Sequence, residues 1–129
     1  MKYLVCLFLA AVMATNANAH EMVPTYPKLE PSFIEGLSKT TMTVFNKRPE
    51  VEYYEIGVFN KNFESIPFVS SYKIYKIPYL STVTIEVYIR DVDKKDVTYI
   101  CSRSKLKKAD LNRTAVSSKI CSKVKQPGE

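Results

Sequence analysis

Three cysteines, one histidine and two loose groups of carboxylates are the residues in this 129-residue chain best equipped for chemistry. Serine and cysteine nucleophiles draw on a histidine as base, and His20 is the only one in the chain. A zinc centre of the His/Cys kind is short of ligands for the same reason. Asp91, Asp93 and Asp96 have a spacing faintly like that of a calcium loop. Lys94 and Lys95 sit among them, however, and the glycine of an EF-hand loop is absent, so this stretch reads as a polar hairpin loop. Glu50, Glu52 and Glu55 could form a carboxylate pair for acid–base work, but on a two-residue period Glu50 and Glu52 share a solvated face. Gly36, Gly57 and Gly128 are too few and too scattered for a phosphate-cradling loop. These residues point away from catalysis and imply no metal or cofactor.

His20 acquires a second reading from what precedes it. Lys2 is followed by the uncharged apolar run Leu4–Val12, and then by small and polar residues ending in Ala17-Asn18-Ala19. That is the three-part layout of a secretory signal with an A-x-A cleavage site. The apolar run falls short of the roughly 20 residues that span a bilayer. Cleavage would make residues 1–19 a signal peptide and His20 the first residue of a mature chain of 20–129, with no membrane span. A terminal amine beside an imidazole can chelate Cu(II), which makes copper binding at His20 a minor alternative. Copper sites of that kind add a second histidine, which the chain does not have.

Cleavage also removes Cys6 and leaves an even number of cysteines. Cys101 and Cys121 are then expected to pair in an oxidising compartment, periplasmic or extracellular. Closing that loop is worth roughly 3 kcal/mol in the chain-entropy model.

The elements that hold these residues follow a period of two. Pro24, Pro27 and Pro31 mark an extended arm or edge strand over 20–33. Thr41–Phe45 alternates and stops at Asn46-Lys47-Arg48-Pro49, a turn-like cluster. Tyr54, Ile56 and Val58 share one face opposite Glu55 and Gly57, and Asn60-Lys61-Asn62 ends the run. One or two shorter strands fit Ser65–Ile77. The clearest strand is Thr82–Arg90, with Val83, Ile85, Val87 and Ile89 towards a core. Val97–Ser102 and Val116–Val124 close the series, with a possible helical turn near Lys105–Leu111. The expected fold is all-β, a single immunoglobulin-like sandwich of about seven strands.

Ile100-Cys101-Ser102-Arg103 and Ile120-Cys121-Ser122-Lys123 repeat one pattern. Antiparallel pairing with the cysteines opposed would staple the last two strands at the base of a long loop. The positive charge collects there. The overall charge is +6, and Arg103, Lys105, Lys107, Lys108, Arg113, Lys119, Lys123 and Lys125 face only Asp110 between residues 103 and 125. A basic patch attracts acidic partners, although the same charges could simply keep a sheet edge from aggregating. Nucleic acid is the poorest of these partners, since an exported protein rarely meets it. Asn112-Arg113-Thr114 matches an N-glycosylation acceptor. Tyr72, Tyr75 and Tyr79, interleaved with Lys73 and Lys76, could form a binding face, but they read mainly as rings covering a sheet.

The run Thr41-Met42-Thr43-Val44-Phe45-Asn46, then Tyr54 to Lys61, then Val83 to Arg90, resembles the amino-terminal immunoglobulin-like domain of PapD-like periplasmic pilus chaperones. The resemblance spans about half the chain. It implies a sandwich fold, and in one branch of that family a disulfide joining the last two strands of the domain around a long loop, as Cys101 and Cys121 would. Pilus chaperones have two such domains, whereas this chain has length for one. Its last strand also lacks their alternating bulky apolar residues.

The function expected is a non-catalytic exported binding or assembly module. It would recognise a protein partner, acidic or supplying a β-strand, through a sheet edge and the basic hairpin bearing Arg103, Lys105, Lys107, Lys108, Arg113, Lys119 and Lys123. The alternative is a structural subunit of a surface assembly or particle.

Overall fold

Alternation of buried and exposed side chains builds two antiparallel sheets in the computed structural model, which describes residues 20–105 and 117–128. The first sheet is centred on β3 (Leu37–Phe45), which pairs along its whole length with β6 (Thr82–Arg90). The other side of β3 is shared by two short pieces, β1 (Glu21–Val23) and β2 (Glu30–Pro31). The second sheet has the order β5-β4-β7-β8, with β4 at Tyr53–Phe59, β5 at Ile74–Lys76, β7 at Tyr99–Lys105 and β8 at Lys119–Lys123. This is an all-β immunoglobulin-like sandwich, as the strand pattern predicts, with the edge pieces β1 and β2 raising the number of described strands to eight.

The prolines explain why the first strand is broken. Between β1 and β2 the chain leaves β3 and crosses to the other sheet, where the carbonyls of Thr25 and Pro27 accept the N–H groups of Lys123 and Lys125. Proline cannot donate to a ladder and is confined to edges and interruptions, and the Val23–Pro24 peptide is cis at this departure.

The core lies between the sheets. Met42 and Val44 of β3, Tyr54, Ile56 and Val58 of β4, Ile85, Val87 and Ile89 of β6 and Ile100 of β7 form its centre. Full burial of each such aliphatic side chain is worth about 1.5–3 kcal/mol. Val83, expected among them, is only half-buried because it sits at an open side of the sandwich.

Two sequence expectations need adjusting, and a third, one or two strands over Ser65–Ile77, is met by one. Asp91–Asp96 is not a hairpin loop: it contains a 3-10 turn at Lys94–Asp96 and carries the chain from β6 in one sheet to β7 in the other. Polar composition marks a turn without revealing which sheet the next strand joins. Within Ser65–Ile77 only β5 is a strand, accompanied by single bridges at Ser65 and Val69. The final strand is shorter than expected, Lys119–Lys123. The signal-like residues 1–19, most of the expected helical turn, Lys107, Lys108, Arg113 and the Asn112 triplet lie outside the described residues.

Candidate functional site

β7 and β8 are antiparallel with Cys101 directly opposite Cys121, and the two are disulfide-bonded with their Cα atoms 4.1 Å apart. The closeness suits a pair that exchanges no backbone hydrogen bonds, where opposed Cα atoms lie about 4.5 Å apart. The strand period then sorts the hairpin. Ile100, Ser102 and Ser104 point inward, and Tyr99, Cys101, Arg103 and Lys105 outward.

On the outer face, Glu55, Arg103 and Lys119 occupy one cross-strand row. Two cations directly opposite each other repel, and the arrangement separates them. Arg103 Nη2 lies 3.1 Å from Glu55 Oε1, and Lys105 Nζ approaches the same carboxylate at 3.4 Å. Lys119 turns instead over two rings, its Nζ 4.9 Å from the centroid of Phe59 and 5.2 Å from that of Phe63. Phe63 stacks on Tyr99 with centroids 4.5 Å apart. Gly57 makes room for this, because a Cβ there would meet the Phe59 ring at 2.7 Å. Phe63 has a left-handed backbone (φ 59°) in a turn held by Asn60, whose side-chain oxygen accepts the N–H groups of Asn62 and Glu64. Such a conformation costs a bulky residue about 1–2 kcal/mol.

The edge of β8 is open over half its length. Alternation puts the N–H and C=O of Lys119, Cys121 and Lys123 on the side away from β7. Thr25 takes the Lys123 N–H, and among the described residues the backbone groups of Lys119 and Cys121 have no partner on that side.

Beneath the hairpin lies a polar layer that the sequence did not announce. His20, at 1% exposure, bonds Ser118 Oγ through Nδ1 at 2.9 Å and Ser102 Oγ through Nε2 at 2.7 Å, and its ring packs on Tyr54. Nε2 also faces the Ser102 carbonyl, which can only accept, so the proton is assigned to Nε2. Arg48, at 5% exposure, reaches Ser104 and Ser118 with Nη1 and donates from Nε to Glu50 at 2.7 Å. Burial pushes the His20 imidazole below its ordinary value; the backbone hydrogen bond at Ser102 opposes this, and the Arg48 charge reinforces it. Burial alone would raise the Glu50 carboxyl, but its bond to Arg48 prevails and holds it below the usual range. Asn46 anchors the neighbouring end of the sandwich. Its Nδ2 donates to the carbonyls of Val51 and Ile77, and its Oδ1 accepts from Arg48 N–H and the Tyr54 hydroxyl. Burial raises that hydroxyl's pKa to about 12.

With this geometry in view, comparison with known proteins gives a consistent result. No family model matches the chain, and no curated protein does. Solved structures do. The E. coli chaperone DraB superposes with a TM-score of 0.60 at 15% identity, covering 82% of this chain and 53% of that one. A chain of the Salmonella enterica SafA pilin in complex with the SafB chaperone gives 0.62 at 13% identity, covering 86% and 55%. The fold is chaperone-like. At these identities the likeness concerns the fold alone, and the chain spans about half the length of the structures it matches.

Of the basic residues singled out from sequence, Arg103, Lys105, Lys119 and Lys123 fall together on the outer face of β7 and β8. Of the three carboxylates singled out, Glu50 serves Arg48 and Glu55 serves Arg103 and Lys105. Asp91 accepts from Ser38, and Asp93 pairs with Arg90. His20 has both ring nitrogens engaged in the interior, which leaves neither available to copper in this conformation. One signal for the polar layer was present. Ser102 and Ser104 stand in the inward phase of β7, where an isolated polar residue would be unsatisfied.

Proposed function

We propose that the chain is an exported, non-catalytic protein-binding module, residues 20–129 acting as one domain after loss of 1–19. It engages a protein partner along the open edge of β8, with Arg103, Lys105, Lys119 and Lys123 contacting acidic groups. Lys107, Lys108 and Arg113 extend the same basic segment in sequence. The observation that carries this reading is the coincidence of strand-edge groups at Lys119 and Cys121, without a partner among the described residues, with four cations on the adjoining face. An unpaired edge offers main-chain hydrogen bonds to an incoming strand, and surface cations contribute speed and choice of partner more than raw affinity. The similar solved structures include a chaperone and a chaperone–pilin complex, and this supports a role in assembly.

Site-specific photo-crosslinking in the exporting host tests the reading, with the reactive group at Lys119 and, as control, at Thr41 on the other sheet. Partner adducts from position 119 that are absent from position 41 and weaken with Arg103→Glu are expected. Equal adducts from both positions, or none from 119, would overturn the edge assignment.

A further inference from the structure

A second open edge lies away from the basic hairpin, and we infer that it accepts an extended peptide from another protein. The segment after β4 pairs with β6 at a single point, where Val69 and Tyr88 exchange both backbone hydrogen bonds at 2.9 Å. It then turns aside. Ser70 Oγ bonds the Tyr72 carbonyl, the Tyr72 N–H donates to the Tyr75 hydroxyl at 3.2 Å, and the two tyrosine rings meet edge to face. Among the described residues the rest of β6 has no neighbour on that side. Tyr88 fixes the phase, so Thr84 and Glu86 direct their N–H and C=O the same way, and among the described residues these groups have no partner there.

Beside this edge runs a groove of about 800 Å³ between the two sheets. Its apolar wall comes from Tyr72, Ile74, Tyr75 and Val83, and Lys76 stands on its rim. This is where the sandwich fails to close, which explains the half-burial of Val83. A strand laid along Thr82–Glu86 would run for about five residues, sending alternate side chains into the groove and the others to water. Charge selects the occupant further. Glu86 is already met by Lys39, while Lys76 takes part in no ion pair among the described residues. The matching ligand is therefore an extended segment, apolar at alternate positions, with a carboxylate that reaches Lys76.

This site is independent of the β8 edge and can fail without it. The test selects binders from a displayed library of random short peptides on the full chain and follows amide exchange. Enriched peptides should alternate apolar residues, carry an acidic one, and slow exchange at Thr84 and Glu86. Thr84→Pro removes an outward N–H and none that bonds β3, and Lys76→Glu reverses the rim charge; each should weaken the selected peptides about tenfold or more. Ser71→Trp, which fills the groove without touching the strand, should do the same and covers the case in which Thr84→Pro unfolds β6. Failure to enrich such peptides, or peptides indifferent to Lys76→Glu and Ser71→Trp, would overturn the inference. So would protection of Thr84 and Glu86 by raised protein concentration alone, because the edge would then belong to a second copy.

Discussion

On its inner side the β7–β8 hairpin carries Ser102 and Ser104 in a buried layer shared with His20, Arg48 and Asn46; on its outer side stand Arg103 and Lys105 beside Glu55, together with Lys119 and Lys123. The same two strands thus hold polar groups in two regimes. Inside, no buried side-chain nitrogen or oxygen lacks a hydrogen bond among the described residues. Such a network is sensitive to loss of any one member, because the partner left behind stays desolvated. Outside, the paired side chains remain open to solvent, and exposed pairs of this kind contribute about 0–1 kcal/mol. The inner layer is therefore read as holding the domain together, and the outer face as free to meet something else.

The largest effect should come from Asn46. Asn46→Ala strands the Val51 and Ile77 carbonyls, the Arg48 N–H and the Tyr54 hydroxyl at once. With roughly 1–3 kcal/mol for each buried group left unpaired, and partial relaxation, about 3–5 kcal/mol should be lost in urea unfolding. A loss below about 1 kcal/mol would mean that water enters this end freely, and the contrast between the two faces would weaken. Next is the disulfide, the strong element of the outer face. Opening Cys101–Cys121 by Cys101→Ala with Cys121→Ala should cost about 3 kcal/mol, with a steeper urea transition because the uncrosslinked denatured chain is less compact.

His20 sharpens the comparison through pH. Its folded pKa lies below the unfolded value of 6.5, so below that pH the unfolded chain binds protons that the folded chain refuses. Stability is complete above 6.5 and falls as pH drops from there towards the folded pKa. Glu50, held low by Arg48, adds its own loss at more acidic pH. In His20→Gln the decline just below pH 6.5 should disappear while the acidic limb stays. An unchanged profile would place the imidazole in water rather than in the inner layer.

Much of the fold was legible because period two dominates the sequence. Thr82–Arg90 and Tyr54–Val58 alternate so cleanly that their inward residues could be named, and two cysteines in matching contexts led to the stapled hairpin. The cations on β7 and β8 were legible from the uneven distribution of charge along the chain. The groups at the core's polar end were hidden for a physical reason. Asn46 and Arg48 sit in a segment that local chemistry labels a turn, and His20 in a proline-marked arm. Only tertiary closure brings them onto Tyr54, Ser102 and Ser118. The open side at β6 was equally invisible, since a strand pattern does not record which neighbour fails to arrive.

The smallest expected effect tests the comparison most directly. Glu55→Gln removes the carboxylate between Arg103 and Lys105 and leaves Arg103 facing Lys119 across the strands. At low salt the exposed pairs and the cross-strand repulsion together should lower stability by about 0.5 kcal/mol. At about 0.5 M salt, where the Debye length shrinks to a few ångströms, the difference should vanish. Binding should move the other way: with its internal counter-charge gone, the face is more positive, and an acidic partner should associate faster at low salt. A loss of about 2 kcal/mol or more that survives salt would assign Glu55 a structural role like that of Glu50, and the outer face would no longer be free for a partner.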